Sequence, residues 1–218
     1  MSKRISGTAP RPWIVGVALL AFVTIGVSAM MLEPADAKEE KNPIVVLETT
    51  LGDITLELNA EKAPITVDNF MWYVDHKFYD GLIFHRVISN FMIQGGGFTK
   101  DLVKKKGNPA IKNEADNGLK NVRGSIAMAR TGVINSATSQ FFINVKDNGS
   151  LNFRNKTPQG YGYAVFGMVT DGLDVVDAIK GVQTVSKGGY NDVPATAVVI
   201  KRAYRKDAKA ASRKARKE

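Results

Sequence analysis

Between residues 43 and 204, short runs of β-branched and aromatic residues are punctuated by glycine, asparagine and aspartate, and helical periodicity surfaces only twice. Ile44–Thr50 and Asp53–Leu58 read as two strands around a Leu51-Gly52 turn. Phe84–Ile88, Met92–Gln94, Ser125–Ala129, Phe141–Val145 and Tyr163–Val169 are further strand candidates, and Ala195–Tyr204 reads as a closing strand. After Pro64, a residue suited to a first helical turn, Val67, Phe70, Met71 and Val74 recur at i, i+3, i+4 and i+7, which predicts an amphipathic helix ending near His76 to Tyr79. A second helix is predicted over Leu173–Lys180, with Asp171 as N-cap, Asp174 in an acidic first turn and Gly181 as the stop. Many strands, two helices and no regular βα alternation predict a mainly β fold, an antiparallel barrel or sandwich with covering helices.

Composition narrows the chemistry. The 218 residues include no cysteine and two histidines, so disulfides, a thiol nucleophile, Cys-based metal clusters and a His-rich metal site are excluded. The formal net charge of +9 belongs mostly to one end. Residues 43–200 carry 16 basic and 15 acidic side chains, whereas residues 201–218 carry nine and two. A body so balanced argues against a nucleic-acid groove. The tail from Arg205 to Glu218 reads as solvated, fit at most for weak contact with a polyanion or anionic membrane. At the other end, the twenty uncharged residues Trp13–Leu32 follow Lys3, Arg4 and Arg11, the charge order of an export signal. Residues 1–37 are therefore expected to be a signal peptide cleaved after Ala37 or a retained inner-membrane anchor. Residues 38–42 form a charged linker, and the folded domain, read as a monomer, occupies residues 43–204. Export would place it in the periplasm or envelope.

The stretch FHRVISNFMIQGGGFT, Phe84 to Thr99, holds the densest chemistry. An arginine among apolar strand residues either pairs with a carboxylate or serves a site, and both readings stay open for Arg86. His85 faces opposite to Arg86 on a period-2 strand and is expected to be a hydrogen-bonded structural histidine. His76 falls at a helix end. Phe91 and Met92 could be core or pocket, and Gln140 and Phe142 share a face without saying which. Gly95 to Gly97 lack the spacing and following helix of a phosphate loop.

Together with GSIAMAR at Gly124–Arg130, SQFFINV at Ser139–Val145 and YAVFG at Tyr163–Gly167, that stretch resembles the cyclophilin family of peptidyl-prolyl isomerases, in particular its short bacterial members. The similarity covers about residues 43–204 in the family's motif order. It implies a closed eight-stranded antiparallel barrel capped by two α-helices, and catalysis of rotation about X-Pro bonds without cofactor or metal. The family's catalytic arginine matches Arg86 and its proline pocket matches Phe91, Met92, Phe142 and Leu151. Its polar and backbone contacts match Gln94, Ala129, Arg130, Thr131 and Gln140, and Tyr163 stands where the family often has histidine. Partners would be Pro-containing segments of unfolded or folding exported proteins. A holdase with incidental isomerase activity is the rival reading, and retention of Arg86 and Gln94 argues against it. Two departures stand out. Ala129-Arg130-Thr131 replaces a common Ala-Asn-Ala and adds a positive charge at the rim. Ser150 falls where many relatives carry Trp or Phe, which implies weak cyclosporin binding.

Overall fold

The computed structural model describes residues 42–206. Strands β1 (Ile44–Thr49) and β2 (Gly52–Leu58) form the opening hairpin, and helix α1 (Pro64–Asp75) follows. Next come β3 (Arg86–Ile88), β4 (Met92–Gly95), β5 (Ser125–Met128), β6 (Phe141–Asn144) and β7 (Val165–Asp171). Helix α2 (Leu173–Lys180), a hairpin of β8 (Thr184–Lys187) and β9 (Tyr190–Pro194), and β10 (Ile200–Arg205) complete the described residues. Eight of these strands make one antiparallel sheet in the order β10-β1-β2-β7-β5-β6-β4-β3. The sheet curls until its ends meet. Ile83, just before β3, bridges Val199, just before β10, and the backbone bonds Phe84 N–H to Val198 O (3.0 Å) and Ile200 N–H to Leu82 O (2.8 Å) fasten the seam.

Alternation along the strands sorts side chains into two apolar sets. Ile93, Ile126, Met128, Phe141, Ile143 and Phe166 turn inward with residues of β1, β2 and both helices. Met92, Ala127, Phe142 and Val165, their immediate neighbours in sequence, turn outward into a smaller cluster with Phe91, Leu151 and Tyr163 at its margin. Phe70 of α1 anchors the inner set, its ring 5.1 Å from Phe166, 5.2 Å from Tyr79 and 5.6 Å from Phe141. Ala63 gives the N-terminus of α1 no side-chain cap. Glu114 from a distant loop takes that role, accepting hydrogen bonds from Ile65 N–H (3.2 Å), Thr66 N–H (2.8 Å) and the Thr66 hydroxyl (2.7 Å).

The structure departs from the sequence expectations at several boundaries. The N-cap of α2 is Gly172 at φ 86°, not Asp171, which ends β7. The chain turns directly from strand into helix, and a Cβ at Gly172 would collide with the Asp53 carbonyl, so only glycine fits. Tyr163 lies outside β7 because its N–H bonds Leu151 O (3.0 Å) instead of a neighbouring strand. Arg205, assigned from sequence to the tail, is the last residue of β10 and donates twice to Asp75 at 2.7 Å. The β8–β9 hairpin was not anticipated. The export segment, most of the linker and the remainder of the tail lie outside the described residues.

Candidate active site

In an antiparallel sheet, directly paired residues present their side chains on the same face. Arg86 stands opposite Gln94, Gln94 opposite Phe142, Phe142 opposite Ala127, and Ala127 opposite Val165. This row crosses five strands on the outer face of the barrel, running from a guanidinium through an amide to apolar side chains. Beside it Ile88, Met92 and Asn144 form a parallel row two residues along each strand. The rows border a hollow of about 190 Å³ lined by Arg86, Phe91, Met92, Gln94, Ala129, Arg130, Phe142, Leu151 and Tyr163. Phe142 and Met92 are buried at its floor, 4% and 2% exposed. Gln94 donates from Nε2 to Gln140 Oε1 (2.9 Å), and both also line an adjoining hollow of about 200 Å³ that includes Thr131. The eleven residues selected from sequence thus line two adjacent hollows, with Thr131 and Gln140 in the second alone.

Arg130 does not behave as a loose rim charge. It donates from Nε to Gly162 O (2.8 Å), from Nη1 to Thr131 O (2.9 Å) and from Nη2 to Pro158 O (2.8 Å), while its guanidinium lies 4.9 Å from the Tyr163 ring. Its donors therefore clamp the 158–163 loop against the 129–131 segment. Tyr163 in turn meets Phe142 edge-on at 5.6 Å. Thr131 is fixed through Ser136, whose hydroxyl oxygen accepts from its N–H (3.0 Å).

Behind the apolar floor lies a layer of buried asparagines that the sequence reading missed. Asn144 donates to Asn121 Oδ1 (3.1 Å) and Ser125 Oγ (2.9 Å), and Asn148 donates to Asn144 Oδ1 (2.7 Å) and Phe91 O (2.7 Å). Asn121 donates to Leu151 O (3.2 Å) and Tyr163 O (3.4 Å). The three thereby hold the backbones of Phe91, Leu151 and Tyr163, the walls of the hollow. Asparagine in a loop or at a strand end signals only a turn from local pattern, so this role becomes visible only with the chain folded.

A cationic donor beside a small apolar hollow, with no carboxylate, thiol or imidazole among its lining residues, suits a reaction that breaks no bond. Residues 44–205 match the family described as Cyclophilin type peptidyl-prolyl cis-trans isomerase/CLD. The chain belongs to the cyclophilin family. A peptidyl-prolyl cis-trans isomerase cyp18 of Streptomyces antibioticus is 62% identical over 159 residues, which are 73% of this chain and 96% of that protein. Peptidyl-prolyl cis-trans isomerase A of Dickeya dadantii is 50% identical over 185 residues, 85% of this chain and 95% of that one. Among solved structures, a Cryptosporidium parvum cyclophilin type peptidyl-prolyl cis-trans isomerase superposes with a TM-score of 0.66 at 26% identity, covering 76% of this chain and 98% of that one.

Other features of this cyclophilin acquire a reason from the site. Gly97 follows the strand that carries Gln94, and a Cβ there would stand 2.5 Å from the Gln140 side chain, so the glycine run serves close packing under the second hollow. Ser150 is exposed in the 3₁₀ turn Gly149–Leu151 and does not line the hollow, while Leu151 does. His85 is buried, 6% exposed, with its ring 4.5 Å from Phe98. Its Nδ1 has no hydrogen-bond partner among the described residues, and the polar contact the ring keeps is with the Ile83 backbone. Burial, and secondarily the Arg86 charge, pushes its pKa down to about 4, so the ring stays neutral against an apolar neighbour. His76 caps α1 and stacks on Trp72 at 4.0 Å. A larger hollow of about 390 Å³ opens elsewhere, between Leu58, Leu119 and Met168, away from Arg86.

Proposed function

We propose that Arg86 and Gln94 are the catalytic residues of this peptidyl-prolyl isomerase, that Phe91, Met92, Phe142 and Leu151 receive the proline ring, and that Ala129, Thr131, Gln140 and Tyr163 meet the flanking residues. Arg130 serves the same site by holding its loop. The observation carrying this reading is the single outward row Arg86–Gln94–Phe142, which sets a guanidinium beside an apolar floor.

An amide resists rotation because its nitrogen lone pair is conjugated with the carbonyl, a barrier of about 18 to 20 kcal/mol. A ring buried against Phe142 and Met92 leaves the rest of the substrate to turn about the C–N bond. As conjugation is lost the nitrogen pyramidalises and its lone pair becomes a hydrogen-bond acceptor. A guanidinium, which stays protonated in proteins, can donate to it at that moment and less well before, which is the condition for lowering a barrier. The apolar wall keeps the local dielectric low and strengthens the donation. Going from relaxation over tens to hundreds of seconds to about 10³ s⁻¹ requires roughly 7 kcal/mol, within reach of one preorganised donor plus fixation of the substrate.

The chain acts outside the cytoplasm on exposed Pro-containing segments of exported proteins, with residues 43–204 as the working domain. Lys3, Arg4 and Arg11 ahead of uncharged Trp13–Leu32, followed by Ala35 and Ala37, support this. Fractionation with intact-mass analysis tests it, since a soluble cytoplasmic full-length protein would overturn export. For the catalytic assignment, a protease-coupled proline-peptide assay should show Arg86→Ala lowering kcat/KM by about 10² to 10³ with unchanged circular dichroism. Wild-type turnover by a folded Arg86→Ala protein would refute the assignment.

A further inference from the structure

The hairpin β8–β9 closes through Gly188 and Gly189, both at positive φ, and packs beside β3. An aromatic chain fastens it there. Tyr190 of β9 meets Phe98 at 5.1 Å, and Phe98 meets His85, the residue before Arg86, at 4.5 Å. Val193 is buried, 3% exposed. Between these two anchors the backbone at Asp192 is held at φ 61°, the left-handed region that side chains seldom adopt. The carboxylate so presented reaches Arg86, with Oδ2 3.6 Å from Nε.

Fold stability does not account for this arrangement. Both side chains are substantially exposed, 45% for Arg86 and 38% for Asp192, and exposed ion pairs contribute little to stability. The positive φ is itself unfavourable, and strain of this kind persists where neighbouring contacts over-determine the backbone, characteristically at working sites. The contact also has a useful direction. It engages Nε, the inner nitrogen of the guanidinium, on the flank of β3 next to β9, while the hollow lined by Phe91, Met92 and Phe142 lies on the same outer face. A long arginine side chain has several freely rotating torsions, and a fixed carboxylate at Nε narrows the orientations its terminal amino groups explore.

We infer that Asp192 is a positioning residue for Arg86, so that the hairpin presets the guanidinium toward the prolyl nitrogen before substrate arrives. This rests on the catalytic role proposed for Arg86. The effect belongs to the transition state, because the donation it prepares strengthens only as the amide twists, so it acts on kcat more than on KM.

The test is a double-mutant cycle in the proline-peptide assay. Asp192→Asn keeps the residue's size and its tolerance of positive φ, and Asp192→Gly removes the strain altogether, so at least one variant retains the fold. Each should lower kcat about 3- to 10-fold with KM within twofold. In an Arg86→Ala background the same changes should alter the residual rate by less than about 1.5-fold, since there is no guanidinium left to orient. Nitrogen relaxation of the Arg86 Nε–Hε group should show greater motion in Asp192→Asn than in wild type. Unchanged kcat in both Asp192 variants, or an equal loss with and without Arg86, would overturn the positioning role while leaving Arg86 as the donor. An Arg86→Ala protein with full activity would overturn both.

Discussion

On β6, Phe141 points into the barrel and Phe142 points out, one residue apart and both nearly inaccessible at 0% and 4% exposure. Their surroundings differ in kind. Phe141 meets Phe70, Tyr79 and Phe84, rings that pack on one another with a single visible polar tie, the Tyr79 hydroxyl donating to Ser139 O at 2.9 Å. Phe142 meets Tyr163 on one flank and a hollow on the other, and the walls around it are held by asparagine amides and the Arg130 guanidinium. An interior stabilises by filling space, so it tolerates no gap. A binding floor must keep a gap open, and directional hydrogen bonds can hold walls apart where apolar contact alone would let them collapse.

That contrast makes Phe70→Ala and Phe142→Ala an informative pair. Phe70→Ala opens a cavity amid three rings and should destabilise by about 3 to 5 kcal/mol, while the protein that remains folded keeps its KM. Phe142→Ala borders an existing hollow, so its urea midpoint should move less, while KM rises at least tenfold. Equal losses of stability from the two would mean that the outer cluster is ordinary core.

A pH titration separates His85 from its neighbour Arg86. The His85 pKa is lowered to about 4, from an ordinary value near 6.5. The unfolded chain therefore takes up a proton between pH 6.5 and 4 that the folded chain refuses. Stability is fully present above pH 6.5 and falls as pH drops through that window, by about 3 kcal/mol in total. Urea midpoints for wild type and His85→Phe at pH 7 and pH 4.5 should converge in slope against pH only if another group is responsible. Isomerase activity should stay flat from pH 6 to 8, since the His85 ring is neutral throughout that range.

The smallest expected effect lies in the asparagine layer. Asn121→Ala removes the donors to Leu151 O and Tyr163 O and leaves Asn144 short of an acceptor. A loss of about 1 to 3 kcal/mol is expected, with KM raised about 3-fold or more and kcat little changed. A change confined to kcat would show that the layer does more than hold the walls.

The two helices and most of the strands were legible in local pattern, whereas the site residues were singled out only by resemblance. Period 3.6 after Pro64 located α1, and the order Arg86, Gln94, Phe142 followed from motif resemblance with strand register supplying their common face. What escaped was set by partners distant in sequence. Glu114 capping α1, Asp192 beside Arg86 and Arg130 binding Pro158 O and Gly162 O all depend on how loops cross, which no period encodes. The β8–β9 hairpin had a local signal in Gly188-Gly189, the two-residue turn that positive φ demands. It was masked because Asn191 and Asp192 interrupt the apolar pattern expected of a strand. Asp171 misled as a cap because side-chain chemistry pointed one way and the space beside Asp53 the other.

The seam of the barrel has a consequence for synthesis. β10 pairs with β1 along its length, Val46 opposite Tyr204 and Leu47 opposite Ala203, and its approach is stitched to the segment leading into β3. β1 and the segment leading into β3 therefore each wait for β10 to complete their pairing. While the ribosome still holds residues near 200, neither edge has its partner, and contacts of such long sequence separation form slowly once the chain is free. Such a chain keeps both edges open, and the ring that carries β3 and Arg86 is complete only when β10 closes it.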